Sequence, residues 1–234
     1  MARYEKALQD VRAQIAAAAR RAGRDPGGVT LLAVSKTFPS SAVRAVHALG
    51  QQAFGENYVQ EAAAKRADLA DLPDLRWVLI GPLQSNKAAL AAEVFDRVES
   101  IDRLRIAERL SASRAPERGA LDVLVQVNIS GEATKSGVAP GEAVALARAI
   151  AVLPRLALRG FMGIAEPTED AAKARAQFAT LRRCRDDAHR AGIDAEALSM
   201  GMTADLEAAI GEGSTEVRVG TAIFGQRTGE QVSK

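Results

Sequence analysis

Lys36 stands in the run "AVSKTFP", between a serine and a threonine, directly after apolar residues that read as a buried strand. A lysine drawn partly out of water has its charged form penalised, and a neutral amine is a nucleophile toward carbonyl groups. The ordinary alternative is a side chain that lays its stem along the protein and keeps its ammonium in solvent. Two further runs point to an anion. In "LSMGMTADLEAAI", Ser199 and Gly201 precede a helix expected to begin near Thr203, so a hydroxyl and unpaired amides can meet a phosphate. In "VRVGTAIFG", Gly220 permits close backbone approach and Thr221 adds a second hydroxyl. The same patterns also serve as plain turns and caps. Arg218 lies within a strand, where an inward guanidinium requires either a carboxylate, such as Glu216 or Glu56, or a ligand. An amine, a phosphate cradle and an interior cation together suggest pyridoxal 5′-phosphate. Lys36 would take the aldehyde as a Schiff base, the two loops the phosphate, and Arg218 the ring nitrogen.

These groups need a scaffold that gathers distant segments at one mouth. Short runs rich in Val, Ile and Leu recur between longer Ala, Glu and Arg segments, the alternation of βα units on a parallel sheet. The expected strands are 30–35, 53–55, 76–80, 97–100, 122–128, 157–163, 197–200 and 216–220. Between them, "SSAVRAVHALG" reads as a helix closed by Gly50 and "EAVALARAIAVL" as one stopped before Pro154. A third runs to Gly192 with Thr168 as its N-cap. The repeats follow one another without a Pro/Gly/Ser-rich linker. They predict an α/β protein, a single (β/α)8 TIM-type barrel over 1–228 with an extra N-terminal helix and a flexible tail at 229–234; an open doubly wound sheet has a similar rhythm. In such barrels the working groups lie at the carboxyl ends of the strands, which is where all the runs above fall.

Composition narrows the alternatives. The 31 basic and 29 acidic residues leave a formal charge of +2, with no long basic run, so nucleic-acid binding has no support. Cys184 is the single cysteine, and with only His47 and His189 beside it neither a disulfide nor a structural metal site is expected. Cys184 is expected to be packed and the two histidines to lie on helix surfaces. The chain lacks a signal-peptide pattern and any apolar run of membrane-spanning length, which predicts a cytoplasmic protein without membrane attachment. A monomer is the expected state.

The runs "AVSKTFP", "FGENYVQE", "IGPLQSNK", "VNISGEATKSG" and "LSMGMTADLEAAIGEGSTEVRVGTAIFG" resemble, in order and over nearly the whole chain, the pyridoxal phosphate homeostasis protein family, which is related to the barrel of alanine racemase. The resemblance implies the fold-type III barrel of pyridoxal phosphate proteins, with the cofactor on Lys36. It implies Ser199, Gly220 and Thr221 at the phosphate, Arg218 at the pyridine nitrogen and Asn57 near the ring. One departure stands out: Val78 follows the tryptophan where the family usually carries a histidine, so this chain offers no imidazole at that position.

The family function implied is that of a carrier or buffer of the cofactor in vitamin B6 homeostasis, with pyridoxal phosphate-dependent apoenzymes as transient partners. The residues agree. Racemisation needs a base on each face of the substrate carbon, and the only tyrosines are Tyr4 and Tyr58, the latter expected to pack beneath its loop. An arginine on the ring nitrogen also opposes its protonation and weakens the ring as an electron sink. Two other readings stay open: a small racemase or lyase using the same cofactor, and a cofactor-free Schiff-base aldolase acting through Lys36. Lys87 and Lys135 are candidate second amines near the mouth.

Overall fold

The computed structural model describes residues 2–132 and 135–226. Eight strands close into one barrel: β1 (Thr30–Val34), β2 (Ala53–Glu56), β3 (Arg76–Leu79), β4 (Arg97–Ile101), β5 (Leu121–Val127), β6 (Leu156–Gly163), β7 (Ala197–Ser199) and β8 (Glu216–Val219). All neighbours are parallel. The β1–β8 pairing, with Leu32 opposite Arg218, completes the ring and rules out the open sheet. Expected and observed strands differ by one residue at most ends. The expected tail at 229–234 lies outside the described residues.

Helix α1 (Ala2–Arg21) precedes β1, and α2 (Ser40–His47), α3 (Val59–Asp68), α4 (Ala88–Val94), α5 (Leu104–Ser113), α6 (Ala143–Ala151), α7 (Ala171–Arg190), α8 (Leu206–Gly211) and α9 (Thr221–Phe224) follow the strands in turn. In α1, Leu8, Val11, Ile15, Ala18 and Ala19 are buried at three-, four- and one-residue steps, one helical face that packs toward α8 and α9. Strand alternation separates two cores. In β8, Val217 and Val219 join the helix-facing core, whereas Glu216 and Arg218, buried as well, point the other way, into the barrel. Trp77 and Leu79 of β3 likewise face the helices, each such buried side chain contributing about 1.5–3 kcal/mol. No described helix is long and apolar enough to cross a membrane.

Two helix starts differ from expectation. The N-cap of α7 is Asp170, whose carboxylate accepts from the amides of Ala172 and Lys173 at 2.8 and 3.2 Å. Thr168 instead accepts the Asp170 N–H, leaving the helix start to the stronger acceptor. Helix α8 begins at Leu206, not near Thr203, because the preceding residues form a separate turn at the barrel mouth.

Candidate functional site

A cavity of about 630 Å³ opens at the carboxyl ends of the strands. It is lined by Lys36 after β1, Asn57 after β2, Gly81 and Pro82 after β3, and Gln126 and Asn128 at the end of β5. Lys135, Ser136, Ile164, the turn 202–204, Arg218, Gly220 and Thr221 also line it, with Val34, Phe38, Ile80 and Gly225. Three cations, Lys36, Lys135 and Arg218, border this space, and no carboxylate does so among the described residues. A pocket of this size and sign suits a small anionic molecule.

Close backbone contacts shape the wall. A Cβ on Gly81 would sit 2.4 Å from the carbonyl oxygen of Asn57, so the loop after β3 can lie against Asn57 only with glycine there. A Cβ on Gly220 would lie 3.1 Å from the carbonyl oxygen of Val34, and this contact brings the end of β8 against the end of β1, two residues before Lys36. After β7, Gly201 takes φ +99° and Asp205 closes the turn. Its Oδ1 accepts the Met202 amide at 2.5 Å, and its own amide donates to the Met202 carbonyl at 3.2 Å. Thr203 and Ala204 form the cavity-lining part of that turn.

Beneath the cavity the barrel is ionic rather than filled only with branched apolar residues. Arg218 donates from Nη1 to Ser199 Oγ and from Nη2 to the Gly163 carbonyl, both at 2.8 Å. The Ser199 hydroxyl donates in turn to Glu99 Oε2 at 2.6 Å, and Arg97 bridges Glu99 at 2.9 Å and Glu216 in closer contact. Buried charges persist only when paired in this way. Burial pushes the Glu216 carboxyl up to about 8, with the Glu99 charge adding to it and Arg97 opposing. Burial acts on Glu99 in the same sense, but Arg97, with Glu216, Arg218 and Ser199, outweighs it and holds Glu99 below the ordinary carboxylate range. Of the two carboxyls, Glu216 is therefore the one that more readily holds a proton. Burial lowers Arg218 from the usual arginine value, and Glu99 opposes that shift.

Five of the six residues singled out in the sequence, Lys36, Asn57, Arg218, Gly220 and Thr221, line one cavity. Ser199 does not. Its side chain points into the barrel below Arg218, where its hydroxyl meets Arg218, Glu99 and, at 3.2 Å, Glu216. Neither Glu216 nor Glu56 is the hydrogen-bond partner of Arg218; Glu216 belongs to Arg97, and Glu56 binds Ser35 and Lys65. Lys135 reaches the wall and Lys87 does not. Tyr58, expected beneath its loop, is 59% exposed, because it precedes α3 on the outer surface. Val78 is buried outside the cavity wall and lines a depression with Arg97 and Glu216 at the opposite end of the barrel, so the missing imidazole bears on that end. Cys184 is packed in α7, and burial pushes its thiol up to about 11. His47 pairs with Asp74 and His189 with Glu196 on helix surfaces. Gln126, Asn128 and Glu99 escaped the motif reading. For Gln126 and Asn128 the signal was a polar residue at alternate positions of the otherwise apolar "VLVQVN", and for Glu99 a carboxylate in the middle of the short strand "RVESI".

A family model described as alanine racemase, N-terminal domain, matches residues 7–228. The pyridoxal phosphate homeostasis protein of Pseudomonas aeruginosa is 56% identical over 94% of both chains, and that of Escherichia coli K12 is 49% identical over 94% of this chain and 95% of its own. The chain belongs to the pyridoxal phosphate homeostasis protein family. Among solved structures, PipY of Synechococcus elongatus PCC7942 with pyridoxal phosphate bound superposes with a TM-score of 0.83 at 37% identity, covering 95% of this chain and 100% of that one. The family resemblance read from the motifs and the barrel read from the strand rhythm are therefore both correct.

Proposed function

We propose that this protein binds pyridoxal 5′-phosphate and serves as a carrier of it in vitamin B6 homeostasis. The observation that carries the reading is one cavity bordered by three cations, one of them the strand-end Lys36, and by no carboxylate among the described residues. The cofactor, when bound, supplies an aldehyde and a phosphate dianion. Lys36 is the amine that takes the aldehyde covalently. Gly220 and Thr221 hold the phosphate, and the place expected of Ser199 passes to the turn carrying Thr203. Arg218 would stand at the ring nitrogen and Asn57 beside the ring. Relatives bearing the homeostasis name over the full length of the chain, and the PipY structure with pyridoxal phosphate, support the assignment.

The protein keeps the aldehyde sequestered without turnover and hands it to apoenzymes in the cytoplasm. Arg218 remains a cation at neutral pH and opposes a proton on the ring nitrogen. Tyr58, the one tyrosine near the motif, faces solvent. A racemase or lyase reading would have to recruit Lys135, the second amine of the cavity wall.

The test is the visible absorption spectrum of the protein with added pyridoxal phosphate, beside Lys36→Ala. A yellow band that borohydride bleaches, and that the variant lacks, is expected. A colourless protein unchanged by the cofactor would return the search to phosphorylated carbonyl substrates of Lys36. Exchange of substrate α-deuterium in saturating cofactor would establish turnover instead of carriage.

A further inference from the structure

Lys65 is a lysine with a side chain only 6% exposed, on α3 behind the β1 loop. Its Nζ donates to three oxygens at 2.7 Å: the Ser35 carbonyl, Glu56 Oε1 and Glu61 Oε1. The Glu61 oxygen also accepts the Thr37 amide at 2.5 Å, and Ser35 Oγ donates to the Glu56 oxygen at 2.6 Å. The residues before and after Lys36 are thus tied to one buried ammonium and its carboxylate. Thr37 needs such a tie. It takes φ +68°, a left-handed conformation that is costly for a β-branched side chain and persists only where surrounding bonds impose it.

None of these groups lines the cavity, so they do not serve as direct ligands of its contents. We infer that Lys65 and Glu61 are positioning residues that fix the backbone on both sides of Lys36 and so aim its amine into the cavity. The inference rests on Lys36 being the covalent anchor. Glu56 completes the clasp: burial pushes its carboxyl up while the Lys65 charge opposes that shift.

Two measurements test the clasp. In the cofactor-free protein, Lys65→Met is expected to speed hydrogen exchange at the Thr37 amide by about tenfold or more, with α6 unaffected. Unchanged Thr37 exchange would overturn the clasp, whether or not any cofactor binds. The second compares pyridoxal 5′-phosphate with pyridoxine 5′-phosphate, which shares the ring and phosphate but carries an alcohol that Lys36 cannot capture. Lys65→Met and Glu61→Ala are expected to lose about tenfold to a hundredfold in affinity for the aldehyde and to stay within about twofold for the alcohol. Glu61→Gln, which keeps an acceptor for Thr37, should restore most of the loss. Equal losses for both ligands would reduce Lys65 to a structural role and overturn the inference. If the unaltered protein already binds aldehyde and alcohol alike, the anchor role of Lys36 fails instead, and the exchange result still decides the clasp. Should Lys65→Met not fold, Glu61→Ala, whose parent side chain is 26% exposed, carries both measurements.

Discussion

Arg218 Nη1 lies 2.8 Å from Ser199 Oγ, so the guanidinium at the floor of the cavity is seated on a hydroxyl that is itself held by Glu99. This relationship ties Ser199 to the buried network beneath the cavity. Ser199→Ala leaves one Arg218 donor and one Glu99 oxygen short of a partner in a buried site, at a cost of about 1–3 kcal/mol. Urea unfolding should show the midpoint falling with an unchanged slope. Thr203→Ala is expected to do the reverse, weakening pyridoxal phosphate binding with little change in stability. A Ser199→Ala protein of full stability with weakened phosphate affinity would return Ser199 to the cradle.

The carboxyl pair below Arg218 predicts a pH dependence of definite sign. Glu216 in the folded protein titrates near 8, well above a free glutamate, so between those values the folded state holds a proton that the unfolded state has released. The stability this proton confers is complete below the free value and is lost as pH rises through about 8. Glu99, shifted the opposite way, adds stability that is lost only as pH falls into the acid range. Glu216→Gln imitates the protonated form. Its unfolding free energy should therefore decline less between pH 5 and 8.5, a window set by those two limits, than that of the parent protein. Parallel curves for the two proteins would show that Glu216 ionises normally.

The start of "TEDAAKARAQF" shows why boundaries were less legible than elements. Both Thr168 and Asp170 are good capping residues, and sequence spacing alone cannot say which carboxylate or hydroxyl the chain turns toward the helix. The structure gives the cap to Asp170. Asp170→Ala should therefore lower stability by about 1 kcal/mol, and Thr168→Ala by only a few tenths. A thermal melt of the two variants checks the order.

The barrel was legible because eight apolar runs and the loops after them repeat a rule that needs no long-range knowledge. The wall of the cavity was legible wherever a residue comes within two positions of a strand's carboxyl end, as Lys36, Asn57 and Thr221 do. What could not be read was depth. Ser199 shares a motif neighbourhood with mouth residues, yet the pleat turns it inward at the end of β7, and only the three-dimensional register shows that Arg218 from β8 and Glu99 from β4 meet it there. The clasp on Lys36 was equally hidden, since Lys65 lies on the helix after the next strand and reads as an ordinary surface lysine of "AAAKRAD".

Gly81 offers the sharpest test of how the cavity wall is built. It follows β3 in "IGPL", a run whose glycine reads as a generic turn residue, but its φ is not left-handed and its conformation is open to other residues. What forbids a side chain is space: the added Cβ would meet the Asn57 carbonyl oxygen at 2.4 Å, its Cα at 2.7 Å and its carbonyl carbon at 2.9 Å. These are backbone atoms that cannot step aside as a flexible side chain would. Gly81→Ala should accordingly push the loops after β2 and β3 apart, cost about 1–3 kcal/mol of stability and displace Asn57 from the cavity wall. By contrast, Gly141→Ala, where a Cβ meets nothing within 4 Å, should be close to neutral. Denaturant unfolding of both variants, with pyridoxal phosphate titrations of each, separates the cases. An unaltered Gly81→Ala protein would mean that the two loops have more room than the close packing of Asn57 indicates.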